Sequence, residues 1–257
     1  MSEGEADDAT TISWWTRVAP RVRAARRCAL FLDFDGTLAE LTKEPAAARM
    51  TAATRAALKA LAGRPRARLF FISGRRRSDL WNKVRLPGCQ YLGLFGFERT
   101  ARTEAVRSAR IQELRTEAEA LVAGLQGVWI EDKGLAFVLH HRDAPAGVRT
   151  VARRRVRAAL RSSSAVRLFE SAHGLEVVSR DVAGKGATVR QLLRRPALRH
   201  AVPIYLGDDL SDESAFLAAR RGVTVKVGKA RPTAAQYRLA GVGEVRQLLG
   251  LLAQALQ

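Results

Sequence analysis

The amino-acid sequence predicts an α/β fold, in which a mainly parallel sheet with helices is interrupted by a smaller α+β insert. Two observations predict this architecture. Short apolar runs alternate with helical patterns near both ends of the chain, which is typical of parallel strands that are buried on both faces. The middle of the chain instead has the order helix, strand, strand, helix, strand, strand, which is typical of a small antiparallel sheet with two helices.

The elements of the parallel core are predicted in two separate stretches of the chain. Continuous apolar runs predict buried strands, and apolar residues three or four positions apart predict helices. The predicted core strands are 29–32, 68–72, 202–206 and 223–227. The predicted core helices are 51–62, 79–84, 187–193, 212–220 and 242–256.

The insert is predicted to contain two helices and two strand pairs. Its helices are expected at 111–125 and 147–161. Asp132-Lys133-Gly134 and Ala172-His173-Gly174 contain the residues that favour tight turns between paired strands. The predicted strands are 128–131, 135–140, 166–170 and 175–178.

We divide the 257 residues into an N-terminal tail with a short basic helix (1–27), a core formed by two stretches (28–100 and 180–257) and an inserted cap (101–179). Trp14 and Trp15 belong to the N-terminal helix and are expected to pack on the core. The alternative is that this helix is an arm that binds a membrane surface or a nucleic acid.

The chain is strongly basic. It has 44 Lys and Arg residues against 25 acids, a net charge of +19, which favours an anionic partner such as nucleic acid, an acidic membrane or a phosphorylated substrate. Hydrophobic residues make up 47% of the chain, which excludes a disordered polymer. Because Arg149, Arg153 and Arg157 lie along one predicted helix face, a nucleic-acid-binding protein stays a remote alternative.

The sequence favours a cytoplasmic location. No apolar run approaches the roughly 18 residues of a membrane span, and the first ten residues carry four acids and no basic residue, unlike a secretory leader. Two cysteines, Cys28 and Cys89, are too few for a disulfide framework. We therefore expect both thiols to be reduced.

Two carboxylate clusters directly follow predicted buried strands. Asp33 and Asp35 follow the first strand, with Gly36 behind them, and Asp208 and Asp209 follow a later one. Open α/β sheets place their ligands at the carboxyl ends of strands. Buried like charges are costly unless a cation lies between them, and oxygen ligands suit Mg²⁺ bound together with a substrate phosphate. The two clusters therefore predict a Mg²⁺ site.

Three further motifs accompany these acids. Asp212 either caps the helix that follows it or supports the metal site from behind. Ser73-Gly74-Arg75 offers a hydroxyl, backbone N–H groups and a guanidinium to an anion at a helix start. Gly184-Lys185-Gly186 frees a lysine to reach a phosphate.

The order of these motifs resembles that of the haloacid-dehalogenase-like (HAD) phosphatases: Asp-x-Asp-Gly-Thr, then Ser, then Lys, then Gly-Asp-Asp-x-x-Asp. Within that superfamily the chain resembles the trehalose-6-phosphate phosphatase family over most of 28–257. The resemblance implies a HAD-like Rossmannoid core with a cap. It is carried by LFLDFDGTLAELTKEP (30–45), FISGR (71–75), EDKGLAFVLHHR (131–142), YLGDDLSDESAF (205–216) and RPTAAQYRLAGVGEVRQLL (231–249).

The resemblance implies Mg²⁺-dependent hydrolysis of trehalose 6-phosphate through an aspartyl-phosphate. Asp33 is expected to be the nucleophile. Asp35, kept protonated by its environment, is expected to act as general acid and then as base. The expected Mg²⁺ ligands are Asp33, Asp208 and the Asp35 carbonyl, with Asp209 and Asp212 supporting the metal site.

The resemblance also implies the groups that bind substrate. Ser73 and Lys185 are expected to hold the phosphate. The expected sugar-binding side chains are Arg75, Glu131, Lys133 and Glu176. Without the resemblance, Asp132 and Lys133 would be interpreted as an ordinary polar hairpin turn.

Three positions depart from the family pattern. Phe95 replaces the His of Gly-x-His-Gly, Val178 and Ser179 replace the Arg and Pro of Glu-x-Arg-Pro, and Gly184 replaces the Asp of Asp-Lys-Gly. Another sugar or glycosyl phosphate, such as a sucrose or glucosylglycerate phosphate, is therefore an alternative substrate. We expect a monomer without nucleic-acid or membrane partners, and a trehalose-phosphate synthase is the one protein partner considered.

Overall fold

The computed structural model describes residues 12–42, 44–170, 174–229 and 232–257. These residues form one parallel and one antiparallel sheet with helices packed on them. The helices are α1 (Trp15–Ala24), α2 (Ala52–Ala62), α3 (Arg77–Val84), α4 (Ala101–Glu104), α5 (Ala109–Val122), α6 (Ala146–Leu160), α7 (Lys185–Leu193), α8 (Glu213–Ala219) and α9 (Val242–Ala255). The strands are β1 (Cys28–Leu32), β2 (Ala67–Ile72), β3 (Gln90–Leu92), β4 (Trp129–Asp132), β5 (Ala136–His140), β6 (Val166–Glu170), β7 (Gly174–Ser179), β8 (Val202–Gly207), β9 (Val223–Val227) and β10 (Tyr237–Leu239).

The larger sheet is parallel and has the strand order β10-β9-β8-β1-β2-β3. The central strand β1 is buried along its whole length, as its entirely apolar sequence predicts. Its register aligns Leu32 with Phe71 of β2 and with Leu206 of β8. The residues that follow these three strands therefore meet at one edge of the sheet.

Helices cover both faces of the parallel sheet. Successive side chains of a strand point to opposite faces, so Leu30 and Leu32 pack in a cluster with residues of α1, α2, α3 and α9. Ala29 and Phe31 pack in a second cluster with residues of α7 and α8. A sheet covered on both faces explains why its strands read as continuous apolar runs.

The smaller sheet is antiparallel and has the order β4-β5-β7-β6. The helices α5 and α6 cover one face of it, where their apolar residues share a core with Phe137, Leu139 and Val177. Val138 and Glu176 alternate with these residues, so they point to the opposite face. The predicted fold class, an α/β core with an α+β cap, is confirmed.

Two short strands are absent from the sequence prediction. β3 and β10 each contain three residues and lie at the two edges of the parallel sheet, and three residues carry too little periodicity to predict a strand. The other predicted elements match the observed ones within a few residues at each end. The predicted tail at 1–10 and the turn residues 172 and 173 lie outside the described residues.

The N-terminal helix α1 packs on the core through its tryptophans. Trp14 stacks on Tyr237 with ring centroids 4.5 Å apart, and its Nε1 donates a hydrogen bond to the Arg238 carbonyl at 3.0 Å. Trp14 and Trp15 are both buried, so their rings stabilise the fold and do not form an exposed arm. In the described part of the chain, none of the helices has both the length and the apolar character needed to cross a bilayer.

Candidate active site

Three carboxylates converge where β1 and β8 end. Asp33 follows β1 and Asp208 follows β8, and the paired strands place them side by side. The backbone N–H of Asp33 donates to the Leu206 carbonyl at 3.0 Å, which continues the strand pairing. Carboxylate oxygens of Asp33, Asp208 and Asp212 all lie within 4.8 Å of one another. We call these three residues the acidic cluster.

The turn after β1 requires Gly36. Its φ is +72°, a left-handed conformation that residues with a Cβ rarely adopt. A Cβ at this position would also lie 2.1 Å from Oδ2 of Asp208. The glycine therefore lets the turn approach Asp208 closely while Phe34 is buried in the core.

Lys185 bridges two carboxylates of the acidic cluster. Its Nζ donates to Oδ1 of Asp33 at 2.8 Å and to Oδ1 of Asp212 at 2.7 Å, and the Tyr205 hydroxyl donates to the same oxygen of Asp212 at 2.6 Å. Each of these four residues is at most 4% exposed. Because water is excluded, the hydrogen bonds are strengthened and the geometry is set by the protein.

The side chain of Asp212 binds both the local backbone and residues of the site. Its side chain makes no capping hydrogen bond to α8. Besides binding Lys185 and Tyr205, it accepts the backbone N–H of Asp209 through Oδ2 at 3.0 Å. The bond to Asp209 belongs to the capping box of the 3-10 turn Leu210–Asp212, whereas the bonds to Lys185 and Tyr205 fit the interpretation in which Asp212 supports the site.

Burial raises the pKa values of two acids in the cluster, Asp33 and Asp208. Burial raises the pKa of Asp33 well above its ordinary value, with Lys185 opposing and Asp212 adding to the shift. Burial and the charge of Asp212 raise the pKa of Asp208 to about 7. Burial alone would lower the pKa of Lys185, but Asp212 and Asp33 raise it. The cluster is therefore a site where a further cation is strongly favoured.

Arg75 binds Asp35 through two parallel hydrogen bonds. Its Nε and one terminal nitrogen donate to the two carboxylate oxygens of Asp35, each at 2.7 Å. The guanidinium also donates to Asp79 and to the Pro45 carbonyl, each at 2.6 Å. Paired donors of this kind are partners of an ionised carboxylate. Every guanidinium nitrogen of Arg75, which is expected to bind substrate, thus already has a protein partner.

Ser73 follows β2, the neighbour of β1, and so reaches the same edge of the sheet. It is buried, and its Oγ accepts the backbone N–H of Arg75 at 3.2 Å. Ser73 lines the same cavity as Asp33 and Lys185. Its hydroxyl can therefore donate to an anion bound beside the acidic cluster.

The cap contributes polar side chains from the sheet face that its helices leave open. In the β4–β5 hairpin, the Asp132 side chain accepts the N–H of Gly134 at 2.8 Å, which places Lys133 at the turn. Lys133 Nζ lies 3.8 Å from Glu131 Oε2, and His140 Nε2 lies 2.9 Å from the same oxygen. Burial would raise the pKa of Glu131, but His140 and Lys133 lower it. Burial raises the pKa of Glu176, the other carboxylate on this face.

One cavity of about 140 Å³ is lined by residues of both the core and the cap. Ten of the predicted site residues line it, and Asp212 does not. Those ten are Asp33, Asp35, Ser73, Arg75, Glu131, Lys133, Glu176, Lys185, Asp208 and Asp209.

Among the residues missing from the sequence prediction are three that hold predicted site residues in place. Tyr205 donates to Asp212, Lys226 donates through Nζ to the Asp208 carbonyl, and His140 contacts Glu131. Lys226 and Tyr205 are each a polar side chain inside a buried apolar strand. A polar residue within an apolar strand was therefore the available sequence signal for a site contact, since a buried polar group needs a hydrogen-bond partner.

Two of the three departures from the family pattern lie in one hydrophobic cluster. Phe95 and Val178 are buried there with Leu94, Leu135 and Val182, between the loop after β3 and the cap sheet. Their apolar side chains contribute hydrophobic packing at this position.

The third departure, Gly184, directly precedes α7. Its φ is +88°, which disfavours any residue that has a Cβ. A glycine at this position therefore matches the local backbone conformation.

The acidic cluster has the chemistry of a Mg²⁺ site. Its donors are carboxylate oxygens, which Mg²⁺ prefers, and it faces a cavity with room for a phosphate and waters. Burial has raised the pKa of Asp33 and Asp208, as expected for carboxylates placed to share a cation. The residues present therefore fit the metal.

The fold is the HAD-like one, an α/β core with a cap. A haloacid dehalogenase-like hydrolase from Bacteroides thetaiotaomicron superposes with a TM-score of 0.60 at 19% identity, covering 87% of this chain and 98% of that one. The C-terminal domain of Candida albicans trehalose-6-phosphate phosphatase superposes with a TM-score of 0.82 at 22% identity, covering 93% and 96% of the two chains. At these identities the likeness concerns the fold.

Sequence comparison identifies the family. The trehalose-phosphatase family model matches residues 31–242, so the chain belongs to the trehalose-phosphatase family, and the predicted membership is confirmed. It is 35% identical to trehalose-phosphate phosphatase of Mycobacterium ulcerans (strain Agy99) over 255 residues, which cover 90% of this chain and 62% of that protein. The protein of the same name from Mycobacterium tuberculosis (strain ATCC 25618 / H37Rv) is 33% identical over 260 residues, 91% of this chain and 63% of that protein. The chain thus spans less than two thirds of these relatives.

Proposed function

We propose that this protein is a Mg²⁺-dependent phosphatase that hydrolyses trehalose 6-phosphate to trehalose and phosphate. The observation that carries the proposal is the buried group of Asp33, Lys185 and Asp212, which lies beside Asp208 at the carboxyl ends of β1 and β8. A nucleophile held at the end of a buried strand beside a fixed ammonium suits in-line transfer of a phosphoryl group. Family membership supports the same activity.

In the first chemical step, an Asp33 oxygen attacks phosphorus while the bond from phosphorus to the sugar oxygen breaks, which gives an aspartyl-phosphate and a trehalose oxygen that needs a proton. Asp35, in its protonated form, supplies that proton and becomes a carboxylate. In the second step Asp35 takes a proton from water, whose oxygen attacks phosphorus and releases Asp33 and phosphate. The two hydrogen bonds from Arg75 hold the Asp35 carboxyl group in position.

The phosphoryl oxygens are held by Ser73 and Lys185 in this proposal. The carboxylates of Asp33 and Asp208, with the main-chain carbonyl of Asp35, would hold Mg²⁺, which supplies positive charge to the phosphoryl oxygens when bound. Asp209 supports the metal site from its neighbouring position. The Nζ of Lys226 donates to the main-chain carbonyl of Asp208 and so fixes the backbone at that position.

The sugar is held by the cap in this proposal. Glu131, Lys133 and Glu176 offer acceptors and donors to hydroxyl groups, and they line the cavity that also contains Asp33. We place the cap at 101–179, because α4 begins at Ala101 and β7 ends at Ser179. We also infer a cytoplasmic monomer, with a trehalose-phosphate synthase as the protein partner to test.

A different glycosyl phosphate is the second candidate substrate. The apolar pair Phe95 and Val178 favours it, because Phe95 lines the cavity where the family pattern has a histidine and Val178 packs in the same apolar cluster. The nucleic-acid alternative is weakened by Glu170, whose Oε1 lies 2.8 Å from both Arg153 and Arg157 and so partly neutralises the arginine row.

Phosphate release tests the proposal. We expect the protein to release phosphate from trehalose 6-phosphate faster than from glucose 6-phosphate or sucrose 6-phosphate, and to lose this activity when EDTA removes Mg²⁺. Full activity in EDTA would contradict the metal dependence. Similar rates on all three sugar phosphates would contradict the substrate.

A further inference from the structure

An exposed tryptophan lies on the face of the cap sheet that its helices leave open. Trp129 is 50% exposed. It precedes Glu131 by two positions on β4, so both side chains point to the same face, opposite to Ile130, which packs toward α5 and α6. Trp129 therefore shares a face with the carboxylate and lysine proposed to bind sugar.

Trp129 lines a second cavity, of about 510 Å³, that adjoins the first. The two cavities share walls on both the core and the cap side. The shared residues are Pro45, Arg75, Asp79, Glu131 and His140. A molecule that has its phosphate at Lys185 and passes Glu131 therefore extends toward Trp129. The volume falls within the range of small-molecule pockets, about 300–1,000 Å³.

The tryptophan ring is held in place before any ligand binds. Trp129 and His140 are directly opposite each other in the antiparallel register, and their rings stack with centroids 3.9 Å apart at 13°. His140 in turn contacts Glu131 at 2.9 Å and is buried. Because this neighbour is fixed, less conformational freedom is lost when a ligand packs on the tryptophan.

We propose that Trp129 is a stacking platform for the sugar ring that does not carry the phosphate. A pyranose ring presents C–H groups on its faces, which pack on an aromatic surface, while its hydroxyl groups reach polar side chains such as Glu131. This inference rests on the proposed function. It makes Trp129 a specificity residue that favours disaccharide phosphates over monosaccharide phosphates.

The test compares steady-state kinetics of the full chain with those of Trp129→Ala and Trp129→Phe. Trp81→Ala is the matched control, because Trp81 is 40% exposed and lines neither cavity. We expect Trp129→Ala to raise the KM for trehalose 6-phosphate about tenfold, equivalent to roughly 1.4 kcal/mol, and Trp129→Phe to retain most of the affinity. The inhibition constant of inorganic phosphate, which has no ring, is expected to stay unchanged in all three variants.

An unchanged KM in Trp129→Ala would overturn the proposal. Equally weakened inhibition by inorganic phosphate would also overturn it, because it would indicate a general disturbance of the site. A rise of the same size in Trp81→Ala would overturn it too. If the wild-type chain releases no phosphate from trehalose 6-phosphate, the proposed function itself fails, whatever the variants do.

Discussion

The core and the cap hold their charged residues in opposite ways. In the core, Lys185 meets Asp33 and Asp212 at 2.8 and 2.7 Å, and the lysine side chain is 2% exposed. In the cap, Glu131 and Lys133 are 3.8 Å apart and the glutamate side chain is 35% exposed. The core charges are thus tightly paired and buried, whereas the Glu131–Lys133 pair of the cap is longer and its glutamate is more exposed.

This difference matches the groups that each region is proposed to bind. A phosphoryl group has the same shape and charge in every phosphate ester, so a rigid set of charges serves all substrates. A sugar is neutral and differs from one substrate to another, so its recognition needs groups that still have free hydrogen-bonding capacity. Substitutions in the core should therefore abolish catalysis or folding, and those in the cap should change substrate affinity.

The largest effect is expected from Asp33→Asn. The amide cannot form the aspartyl-phosphate, so kcat should fall by at least about a thousandfold. Asp132→Asn is the matched control, because Asp132 holds its turn through an oxygen that asparagine also has, and it should keep full activity. Single-turnover phosphate release measures both; a fully active Asp33→Asn protein would disprove the nucleophile.

The next largest effect is expected from Asp212→Asn, measured as the free energy of unfolding in urea. Removing one partner of a buried ion pair destabilises proteins by about 3–5 kcal/mol, and Asp212 is completely buried beside Lys185. Tyr205→Phe removes one hydrogen bond to the same carboxylate and should cost only about 1 kcal/mol. Equal effects of the two substitutions would show that the Lys185 pair contributes little.

Mg²⁺ should stabilise the protein more at alkaline than at acidic pH. The pKa of Asp208 is raised from 3.8 to about 7, so the folded metal-free protein keeps a proton that the unfolded chain has lost. Its free energy of unfolding should therefore fall as pH rises between those values. Mg²⁺ must displace that proton, so it binds more weakly below about pH 7.

Thermal unfolding with and without Mg²⁺ measures this linkage. At about 100 times its Kd, Mg²⁺ should add about 2.7 kcal/mol near pH 8 and clearly less near pH 5.5. Asp208→Asn is the control that should lack the effect. A Mg²⁺ stabilisation that is the same at both pH values would contradict the linkage between Mg²⁺ binding and the proton on Asp208.

The smallest effect is expected from Lys133→Ala in the cap. Losing one charged hydrogen-bond donor to the sugar should raise the KM for trehalose 6-phosphate about tenfold with little change in kcat. Lys59→Ala, on the exposed surface of α2, should change neither constant. A large loss of kcat with unchanged KM would place Lys133 among the groups that act on the phosphate.

The core site was largely predictable because its residues are placed by backbone geometry alone. Asp33 and Asp208 follow apolar strands, and parallel pairing brings strand ends together whatever the other side chains are. The Arg75–Asp35 pair was not predictable in this way. It joins residues 40 positions apart, and the sequence does not show which of the available anions a guanidinium will choose.

The cap site depended more on register. The pattern predicted the β4–β5 hairpin, but the pairing of Trp129 with His140 follows from the turn at Gly134, and a shift by one residue would turn these side chains to the other face. The Phe95 and Val178 departures looked independent because they are far apart in the chain. Only the folded structure shows that they belong to one apolar cluster.

The buried lysine also sets the electroneutrality of the site. When fully ionised, the three carboxylates of the acidic cluster and the single ammonium of Lys185 leave two negative charges, the charge that one divalent cation neutralises. Mg²⁺ would thus neutralise the acidic cluster together with Lys185, so that this group would not repel a phosphate dianion, and the +19 net charge of the chain attracts that dianion from solution.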